Sequence, residues 1–358
     1  MDRGFWRGRR VFLTGHTGFK GGWLALWLAD AGAEVHGFAL PAPTEPSLFE
    51  AAGVVQCLAG HTLGDIRDAD AVARALAAAR PEIVFHLAAQ PLVRLSYAQP
   101  LETFATNVMG TAHVLEAARA AGSVRALVSV TTDKCYENHE WPWPYRESDA
   151  LGGHDPYSAS KACAELVTAA WRTAYPGADA PRIASARAGN VIGGGDWALD
   201  RLVPDALRAC DAGTVLAVRR PAAVRPWQHV LEPLAGYIRL AERLAEGDDV
   251  AQAWNFGPVD ADARPVAWIL DTLARTLPDL RWQATGADEG VHEAGLLKLD
   301  SSRARARLGW APRWRLDEAL AHTAAWHRAW CAGADMAGVT RDQIHTYEAA
   351  PRDGGADG

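Results

Sequence analysis

Short apolar runs alternate with helix-length segments through the first half of the chain. The apolar runs, each typical of a buried strand, lie at residues 10–14, 33–40, 83–88, 126–132 and 183–187. Segments with helical periodicity separate them, at residues 23–29, 69–80 and 107–119. Strands and helices that alternate in this way predict βαβ crossovers. The expected fold is therefore α/β, with a doubly wound parallel sheet of the Rossmann type.

The composition of the chain changes near residue 190, where the glycines Gly193 to Gly195 precede a stretch rich in arginine and proline. We expect two domains and a disordered tail, with the first domain interrupted by part of the second. The expected bounds are residues 1–190 with about 227–258 for the first domain, 191–226 with 259–350 for a smaller C-terminal α/β lobe, and 351–358 for the tail.

Composition places the chain among soluble globular proteins. It has 358 residues, of which 49% are hydrophobic and 22% are charged, and its formal net charge is −7. This negative charge argues against a nucleic-acid-binding surface, and no apolar run approaches the roughly 18 residues needed to span a bilayer. We expect a cytoplasmic protein that binds neither nucleic acid nor membrane.

The cysteines carry no pattern that indicates chemistry. The five are widely spaced, without a C-x-x-C pair or a histidine partner at the spacing of a zinc finger. We therefore expect no metal site. Cys135 adjoins a polar cluster at residues 132–134, but those neighbours explain the site better than a reactive thiol would.

A glycine-rich loop follows the first predicted strand and leads into a helix. Gly15, Gly18 and Gly21 form the pattern G-x-x-G-x-x-G in the first β-α turn. Glycines allow the backbone to approach a pyrophosphate, and the free N–H groups of a helix N-terminus favour its negative charge. The loop, which also contains Phe19 and Lys20, predicts a dinucleotide site.

The end of the second strand lacks the carboxylate that usually holds the adenosine ribose. Residues 40–42 are Leu-Pro-Ala, and no arginine or lysine occurs between Ala39 and Glu50 to bind the 2′-phosphate of NADP. Asp65 and Ile66 are candidates for contacts to the adenosine, although Asp65 is equally credible as a helix cap.

A tyrosine and a lysine are spaced to act together. Tyr157 and Lys161 are four residues apart, so they share one face of a helix. A neighbouring ammonium favours the phenolate and lowers the pKa of the tyrosine, which can then take the proton of a substrate hydroxyl while hydride leaves the same carbon.

These features occur in the order typical of one enzyme family. The glycine loop, the Leu-Ala-Ala strand end at residues 87–89, Thr132 and the tyrosine–lysine pair resemble the extended short-chain dehydrogenase/reductase family over nearly the whole chain. The resemblance implies NAD as cofactor and catalytic roles for Thr132, Tyr157 and Lys161. The residues expected to bind the cofactor are Gly15, Gly18, Phe19, Lys20, Gly21, Asp65, Ile66, Leu87, Ala88, Ala89, Asn107, Tyr157 and Lys161.

Longer segments resemble the nucleotide-sugar 4,6-dehydratases within that family. They lie at residues 14–21, 88–94, 132–136, 187–197, 225–229 and 297–300. The resemblance implies oxidation of the sugar at C4, loss of water across C5 and C6, and return of the hydride to C6. Asp133 is the expected acid for the departing C6 hydroxyl, provided that burial keeps it protonated.

Lys134 stands where related dehydratases carry the glutamate that removes the C5 proton, and two roles for it are open. Desolvation and crowding by Lys161 would make it neutral, so that it could act as the base. A charged Lys134 would instead stabilise the enolate while another group removes the proton. We favour the base.

Arginines downstream of residue 190 suit a substrate diphosphate, because a guanidinium pairs with phosphate in a bidentate manner. The expected substrate contacts are Gln90, Arg94, Asn190, Arg201, Arg225 and His292. The resemblance implies CDP-glucose as the nucleotide hexose, and a homodimer or homotetramer as the assembly.

Three other functions are compatible with parts of this pattern. A nucleotide-sugar 4-epimerase would use the same Thr132, Tyr157 and Lys161, but it would have no use for Asp133 and Lys134 beside them. A dehydratase acting on another nucleotide hexose, such as dTDP-glucose or GDP-mannose, is the second alternative. A non-catalytic NAD-binding protein would not need the tyrosine–lysine pair.

Overall fold

The computed structural model describes residues 1–177, 180–286 and 295–351. Its strands are β1 Arg10–Thr14, β2 Glu34–Ala39, β3 Gly60–Leu63, β4 Ile83–His86, β5 Ala126–Val130, β6 Arg182–Ala188, β7 Val191–Ile192, β8 Val215–Val218, β9 Val224–Pro226, β10 Gln228–His229, β11 Ala253–Phe256, β12 Ala263–Pro265 and β13 Arg281–Ala284. Its helices are α1 Arg3–Trp6, α2 Phe19–Asp30, α3 Leu48–Ala51, α4 Ala69–Ala79, α5 Val93–Ala98, α6 Pro100–Phe104, α7 Gly110–Ala120, α8 Pro156–Ala174, α9 Leu202–Asp211, α10 Leu231–Glu246, α11 Val266–Thr276, α12 Leu316–Cys331 and α13 Met336–Ala349. The tail expected to be disordered lies outside the described residues, apart from Pro351.

In the described part of the chain, seven strands form one sheet in the order β11-β6-β5-β4-β1-β2-β3. Every neighbouring pair is parallel, which confirms the predicted doubly wound fold. The strand order reverses between β1 and β4. Thr14 at the end of β1 is level with His86 at the end of β4, so a crevice for ligands is expected at this edge.

Apolar helices cover both faces of the sheet, as its parallel strands require. One buried cluster joins the sheet to α2 and α10 and contains Trp23, Trp27 and Leu234. Another joins the opposite face to α4 and α7 through residues such as Val72 and Val114. Of the helices in the described residues, none is both long and apolar enough to cross a membrane.

A separate buried cluster lies outside the main sheet. It is built from α9, α11 and α12, with the parallel pair β8 and β13 beside them. In contrast, α10 packs on β5 and β6, and β11 extends the main sheet next to β6. We proposed that residues 227–258 return to the first domain and that residues 191–226 and 259–350 form the second lobe. The contacts of α10 and β11 agree with the first part of this proposal. However, Trp310, Trp314 and helix α13 belong to the same buried cluster as α2 and α10, so the C-terminal part of the described chain packs on the first domain.

Because two histidines are buried, we expect the protein to lose stability in mild acid. Burial, with nearby Lys161 as a second cause, lowers the pKa of His86 to about 3. Burial and nearby His322 lower the pKa of His229 to about 3. Both rings stay neutral in the folded protein and bind protons only when it unfolds. Their contribution is therefore complete above the unfolded pKa near 6.5 and is lost as the pH falls toward 3.

The free energy of unfolding should fall by up to about 2.7 kcal/mol per pH unit below about pH 5.5 from these two groups. Urea unfolding at several pH values between 7.5 and 4.5 measures this slope. His229→Phe should reduce the slope by about half of that amount, whereas His154→Gln, at an exposed position, should leave it unchanged. An unchanged slope in His229→Phe would contradict the assignment.

Candidate active site

The glycine loop is packed too tightly for side chains. Gly15 has a φ of +80°, and a Cβ there would lie 2.8 Å from the backbone nitrogen of Ala88. A Cβ at Gly21 would lie 2.0 Å from the carbonyl oxygen of Gly15. Gly18 is the N-cap residue of α2, so the free N–H groups of that helix open beside the loop. The loop and the end of β4 thus form one anion-binding crevice.

Thr14 joins this loop to the segment after β4. Its hydroxyl oxygen accepts hydrogen bonds from the backbone N–H groups of Leu87 and Ala88, each at 3.1 Å, and it lies 2.8 Å from Nδ1 of His86. Ala89 follows, half-buried. Thr14 and His86 were not predicted as site residues. The available signal was a polar residue at the end of each of two apolar strands.

Phe19 and the end of β2 shape the same crevice. A Cβ at Gly193 would lie 3.1 Å from the ring of Phe19, so this side chain reaches the loop after β7. At the end of β2, the hydroxyl of Thr17 donates to the carbonyl oxygen of Leu40 at 2.9 Å. A backbone carbonyl therefore stands near the position where the family pattern has a carboxylate.

Asp65 binds its neighbour Arg67. The carboxylate accepts hydrogen bonds from Nε, NH2 and the backbone N–H of Arg67, between 2.6 and 2.8 Å. The alternative that Asp65 caps a helix is wrong, because Asp68 caps α4 by accepting from the N–H of Ala71 at 2.9 Å. Ile66 is buried, and its carbonyl oxygen lies 2.9 Å from Nδ1 of His113.

Asn107 connects this crevice to helix α8, which carries Tyr157. It lies in a π turn, Ala105–Met109, which precedes α7 in the helix expected at residues 107–119. Its amide nitrogen donates to Oγ of Ser160 at 2.9 Å and to the carbonyl oxygen of Gln90 at 3.0 Å, and its amide oxygen accepts from the N–H of Gln90 at 2.8 Å. Asn107 therefore holds two elements of the site together.

The side chain of Gln90, an expected substrate contact, points into its own loop. Its amide nitrogen donates to the carbonyl oxygen of Leu92 at 3.1 Å and to Oγ1 of Thr103 at 2.9 Å. Its amide oxygen accepts from the N–H of Leu92 at 2.5 Å. The structure therefore uses this amide to shape the loop.

Thr132 and Tyr157 meet at the end of β5. The expected strand stops at Val130, and Thr132 caps the 3₁₀ turn Asp133–Cys135 by accepting from the N–H of Lys134 at 3.3 Å. Burial raises the pKa of Tyr157 to about 12, although its hydrogen bond with Thr132 opposes the rise. The expected lowering of the Tyr157 pKa is therefore wrong, because desolvation of the phenolate outweighs the charges around it.

Lys161 is bound to the backbone beside these two residues. Its Nζ donates to the carbonyl oxygen of Val130 at 3.0 Å, and burial lowers its pKa to about 8, against the opposing charge of Glu165. Cys135 is fully buried, and burial raises the pKa of its thiol, so the thiol stays protonated.

Asp133 has the surroundings of a buried acid. Only 2% of its surface is exposed, and burial raises its pKa, although the charge of Lys134 and the hydrogen bond from Thr132 oppose the rise. Oδ1 accepts from the Thr132 hydroxyl at 3.0 Å, whereas Oδ2 has no hydrogen-bond partner among the described residues. A Cβ at Gly189 would come within 3.0 Å of that oxygen. A buried carboxyl oxygen without a partner is suited to a substrate contact.

Lys134 lies beside Tyr157, with Nζ 6.0 Å from the centre of the phenol ring. Burial lowers its pKa, and the guanidinium groups of Arg225 and Arg201 lower it further against the opposing charge of Asp133. We expected the charge of Lys161 to crowd Lys134, but the positive charges that do so are those of Arg225 and Arg201. A lowered pKa is the change expected for a lysine that can become neutral.

Lys20 belongs to the same electrostatic cluster. Burial and the nearby Arg201 lower the pKa of Lys20 to about 7, while Asp133 and Asp196 oppose this change. Arg201 itself pairs with Asp196 at 3.0 Å, immediately before α9. The glycine loop and the second lobe therefore place their cations around the same acid, Asp133.

The other expected substrate residues come from separate elements of the fold. NH1 of Arg225, on β9, donates to the carbonyl oxygens of Val224 at 2.9 Å and Gly295 at 3.3 Å. Arg94 lies 3.9 Å from the carboxylate of Asp200. The carbonyl oxygen of Asn190 accepts from the N–H of Gln228 at 3.1 Å. His292 is outside the described residues.

A buried ion pair behind the site was missed from the sequence. Arg187 and Glu165 are 2.8 Å apart with about 4% and 3% of their side chains exposed. Glu165 also accepts from Oγ of Ser185 at 2.7 Å, and Arg187 donates to the hydroxyl of Tyr136 at 2.8 Å. The signal was Glu165, one helical turn after Lys161. The pair connects α8 to β6 and holds Lys161 at the end of β5.

Comparisons with known proteins agree with this arrangement. The family model for the NAD dependent epimerase/dehydratase family matches residues 11–257. The CDP-glucose 4,6-dehydratase of Salmonella typhimurium is 51% identical over 357 residues, covering 98% of this chain and 99% of that protein. The structure of UDP-glucose 4-epimerase from Thermotoga maritima superposes with a TM-score of 0.78 at 22% identity, covering 90% of this chain and 99% of that one. MoeE5, solved with UDP-glucose and NAD, gives 0.73 at 25% identity, with coverages of 90% and 99%.

Proposed function

Because the chain belongs to the NAD dependent epimerase/dehydratase family, we propose that it removes water from CDP-glucose to give CDP-4-keto-6-deoxyglucose. The observation that carries the proposal is the position of Asp133 and Lys134, a buried acid and a lysine of lowered pKa, directly beside the Thr132–Tyr157 pair. An enzyme that only oxidises and reduces C4 needs the pair alone. The added acid and base correspond to the two proton transfers of an elimination.

The residues of the crevice fit NAD. The backbone of Gly15 and Gly21 leaves a cradle that a Cβ would fill, and the N-terminus of α2 suits a pyrophosphate. Asn107, Tyr157 and Lys161 would hold the nicotinamide half near the end of β5. When bound, oxidised NAD would accept the hydride from C4, and its positive charge would favour the Tyr157 phenolate; once reduced, it would supply the hydride for C6.

In the first step, Tyr157 takes the proton of the C4 hydroxyl, and Thr132 holds the same oxygen by a hydrogen bond. Arg201 is among the groups that lower the pKa of Tyr157, so substrate binding near this arginine and loss of the proton are linked. The C4 ketone that results makes the C5 proton acidic, because the carbanion delocalises into the carbonyl group.

In the second step, neutral Lys134 takes the C5 proton and protonated Asp133 gives its proton to the C6 hydroxyl, which leaves as water. Asp133 becomes a carboxylate and Lys134 an ammonium, so charge balances within the pair. After the hydride reaches C6, Lys134 can return its proton to C5. Lys134 is then neutral again. The proton that Tyr157 took from the C4 hydroxyl replaces the one that Asp133 lost in the departing water, so all three groups return to their starting states.

The choice of CDP-glucose is supported by the Salmonella relative and tested by direct assay. Purified protein is offered CDP-glucose, dTDP-glucose and GDP-mannose separately, with and without added NAD⁺, and products are identified by mass. We expect loss of one water from CDP-glucose. Conversion of dTDP-glucose alone would overturn the nucleotide assignment, and an isomer of unchanged mass would indicate an epimerase.

The arginine at position 225 is expected to hold the substrate diphosphate. Arg225→Met should raise KM for CDP-glucose by roughly 10- to 100-fold, because a charge-assisted contact to phosphate contributes about 1.5–3 kcal/mol. The contact is present before and during the reaction, so kcat should change much less when it is measured well above the pKa of Lys134. This condition is needed because Arg225 also lowers that pKa. Arg74→Met, on the exposed face of α4, is the control. A KM within twofold of the original would contradict the assignment.

We also propose a homo-oligomer, formed through the helices near Asn107 and Tyr157. Large apolar side chains are exposed on this side of the molecule, among them Leu101 and Met109 before α7 and Leu166 on α8. Burying such a surface against a second copy would stabilise the assembly. Sedimentation equilibrium distinguishes the dimer from the tetramer.

A further inference from the structure

Three metal-ligating side chains meet far from the crevice, in the second lobe. Asp211 is the last residue of α9, and His327 and Cys331 lie one turn apart at the end of α12. Nε2 of His327 is 2.9 Å from Oδ1 of Asp211 and 3.6 Å from Sγ of Cys331, and that sulfur is 3.9 Å from Oδ1 of Asp211. The three donor atoms therefore surround one point.

These separations match the edges of a tetrahedral site. Zinc bonds of about 2.0–2.1 Å to nitrogen and oxygen and about 2.3 Å to sulfur place tetrahedral ligand atoms about 3.3–3.6 Å apart. The observed distances scatter around this range, so an ion would need only small side-chain shifts. The spacing of His327 and Cys331 is also the i, i+4 spacing by which one helix presents two ligands to the same ion.

The backbone independently favours a cation at this point. Both α9 and α12 end there, at Asp211 and Cys331, and each helix C-terminus carries a partial negative charge. A simple surface ion pair would not require a thiol in the group.

We propose that Asp211, His327 and Cys331 form a site for a zinc-class dication, which ties the end of α9 to the end of α12. Thiolate and imidazole ligands select borderline-soft transition metals over Mg²⁺ and Ca²⁺, and water completes the fourth position. Helix α9 begins directly after Arg201, so the ion fixes the far end of the helix that carries this arginine into the crevice.

No metal site was predicted from the sequence, because the three ligands do not lie close together in the chain. Asp211 lies 116 residues before His327. Only the packing of α9 against α12 in the second lobe brings the carboxylate to the histidine and the thiol.

The test uses the full chain without a tag, reduced, stripped of metal with a chelator and titrated with Co²⁺. We expect one Co²⁺ per chain, a near-ultraviolet band from thiolate coordination and visible bands of tetrahedral Co²⁺, all displaced by Zn²⁺ but not by Mg²⁺. Added Zn²⁺ should raise the melting temperature of the protein.

Cys331→Ser should abolish the thiolate band, weaken Co²⁺ binding by roughly 100-fold and remove the effect of Zn²⁺ on the melting temperature. Asp211→Asn should keep the band but bind Co²⁺ at least about tenfold more weakly. Cys57→Ser, at a half-buried thiol elsewhere, is the control and should change neither property. Co²⁺ binding without a sulfur band, or a band that persists in Cys331→Ser, would overturn the proposal.

Discussion

Lys134→Met is expected to stop dehydration while leaving oxidation at C4 in place. Methionine keeps most of the length and volume of the side chain but cannot take a proton, so the C5 carbanion does not form. Loss of a positioned general base costs about 10²–10⁴-fold in rate. Reduced cofactor should accumulate in a single turnover, and exchange of the C5 hydrogen with D₂O should fall by the same factor as product formation.

One further variant separates the possible roles of this lysine. Lys134→Arg keeps a positive charge but cannot act as a base near neutral pH, so it should be as inactive as Lys134→Met if the lysine is the base. Nearly full activity in Lys134→Arg would instead indicate a charged group that stabilises the enolate. Lys298→Met, in an ion pair with Asp260, is the control.

The rate of dehydration should depend on pH in a defined direction. Burial and the arginines at positions 225 and 201 lower the Lys134 pKa, so its neutral form is present at lower pH than for an ordinary lysine. Dehydration should decrease as the pH falls through that pKa, because the base becomes protonated. C5 exchange in Lys134→Met should lack this acid limb. C5 exchange at the original rate would exclude Lys134 as the base.

Tyr157→Phe is expected to lower kcat by about 10²–10⁴-fold through the first step. Without the phenol, the group assigned to take the C4 proton is missing, so reduced cofactor should not accumulate. C4 oxidation, C5 exchange and product formation should therefore decline together, unlike the pattern for Lys134→Met. Stopped-flow absorbance of the reduced cofactor, with mass analysis of the product, measures both stages.

The control for this variant is Tyr97→Phe, which removes a hydroxyl from a half-exposed tyrosine on α5. Its kinetics should match those of the unchanged protein. Normal formation of reduced cofactor in Tyr157→Phe would contradict the role of Tyr157, and Thr132 or Lys161 would then have to provide the base.

Elements with a strong local pattern were predictable. Strand β1 covers the whole of its predicted apolar run, because a strand buried on both faces needs an unbroken apolar sequence. Strand β5 begins where its predicted run begins but ends at Val130, before Thr131. Strand β3, Gly60–Leu63, was not predicted, since it is a mostly exposed edge strand without an apolar run. The π turn at Asn107 depends on contacts with Gln90 and Ser160, which no local pattern encodes.

The candidate residues of the site could be predicted from the sequence, but their charge states could not. Residue types and short spacings identified Thr132, Asp133, Lys134, Tyr157 and Lys161 as candidates, because their order along the chain is a local property of sequence. Their charge states depended on burial and on groups far away in the chain: Arg201 and Arg225, rather than Lys161, crowd Lys134, and desolvation raises the Tyr157 pKa.

The sequence by itself determined the alternation of strands and helices, the glycine crevice and the residues available for proton transfer, because periodicity and spacing act over a few residues. Tertiary structure alone decided which cations surround Asp133, that Gln90 turns into its own loop, and that Asp211 meets His327 and Cys331. These outcomes depend on burial and on distances across the fold, and both arise only when segments remote in sequence pack together.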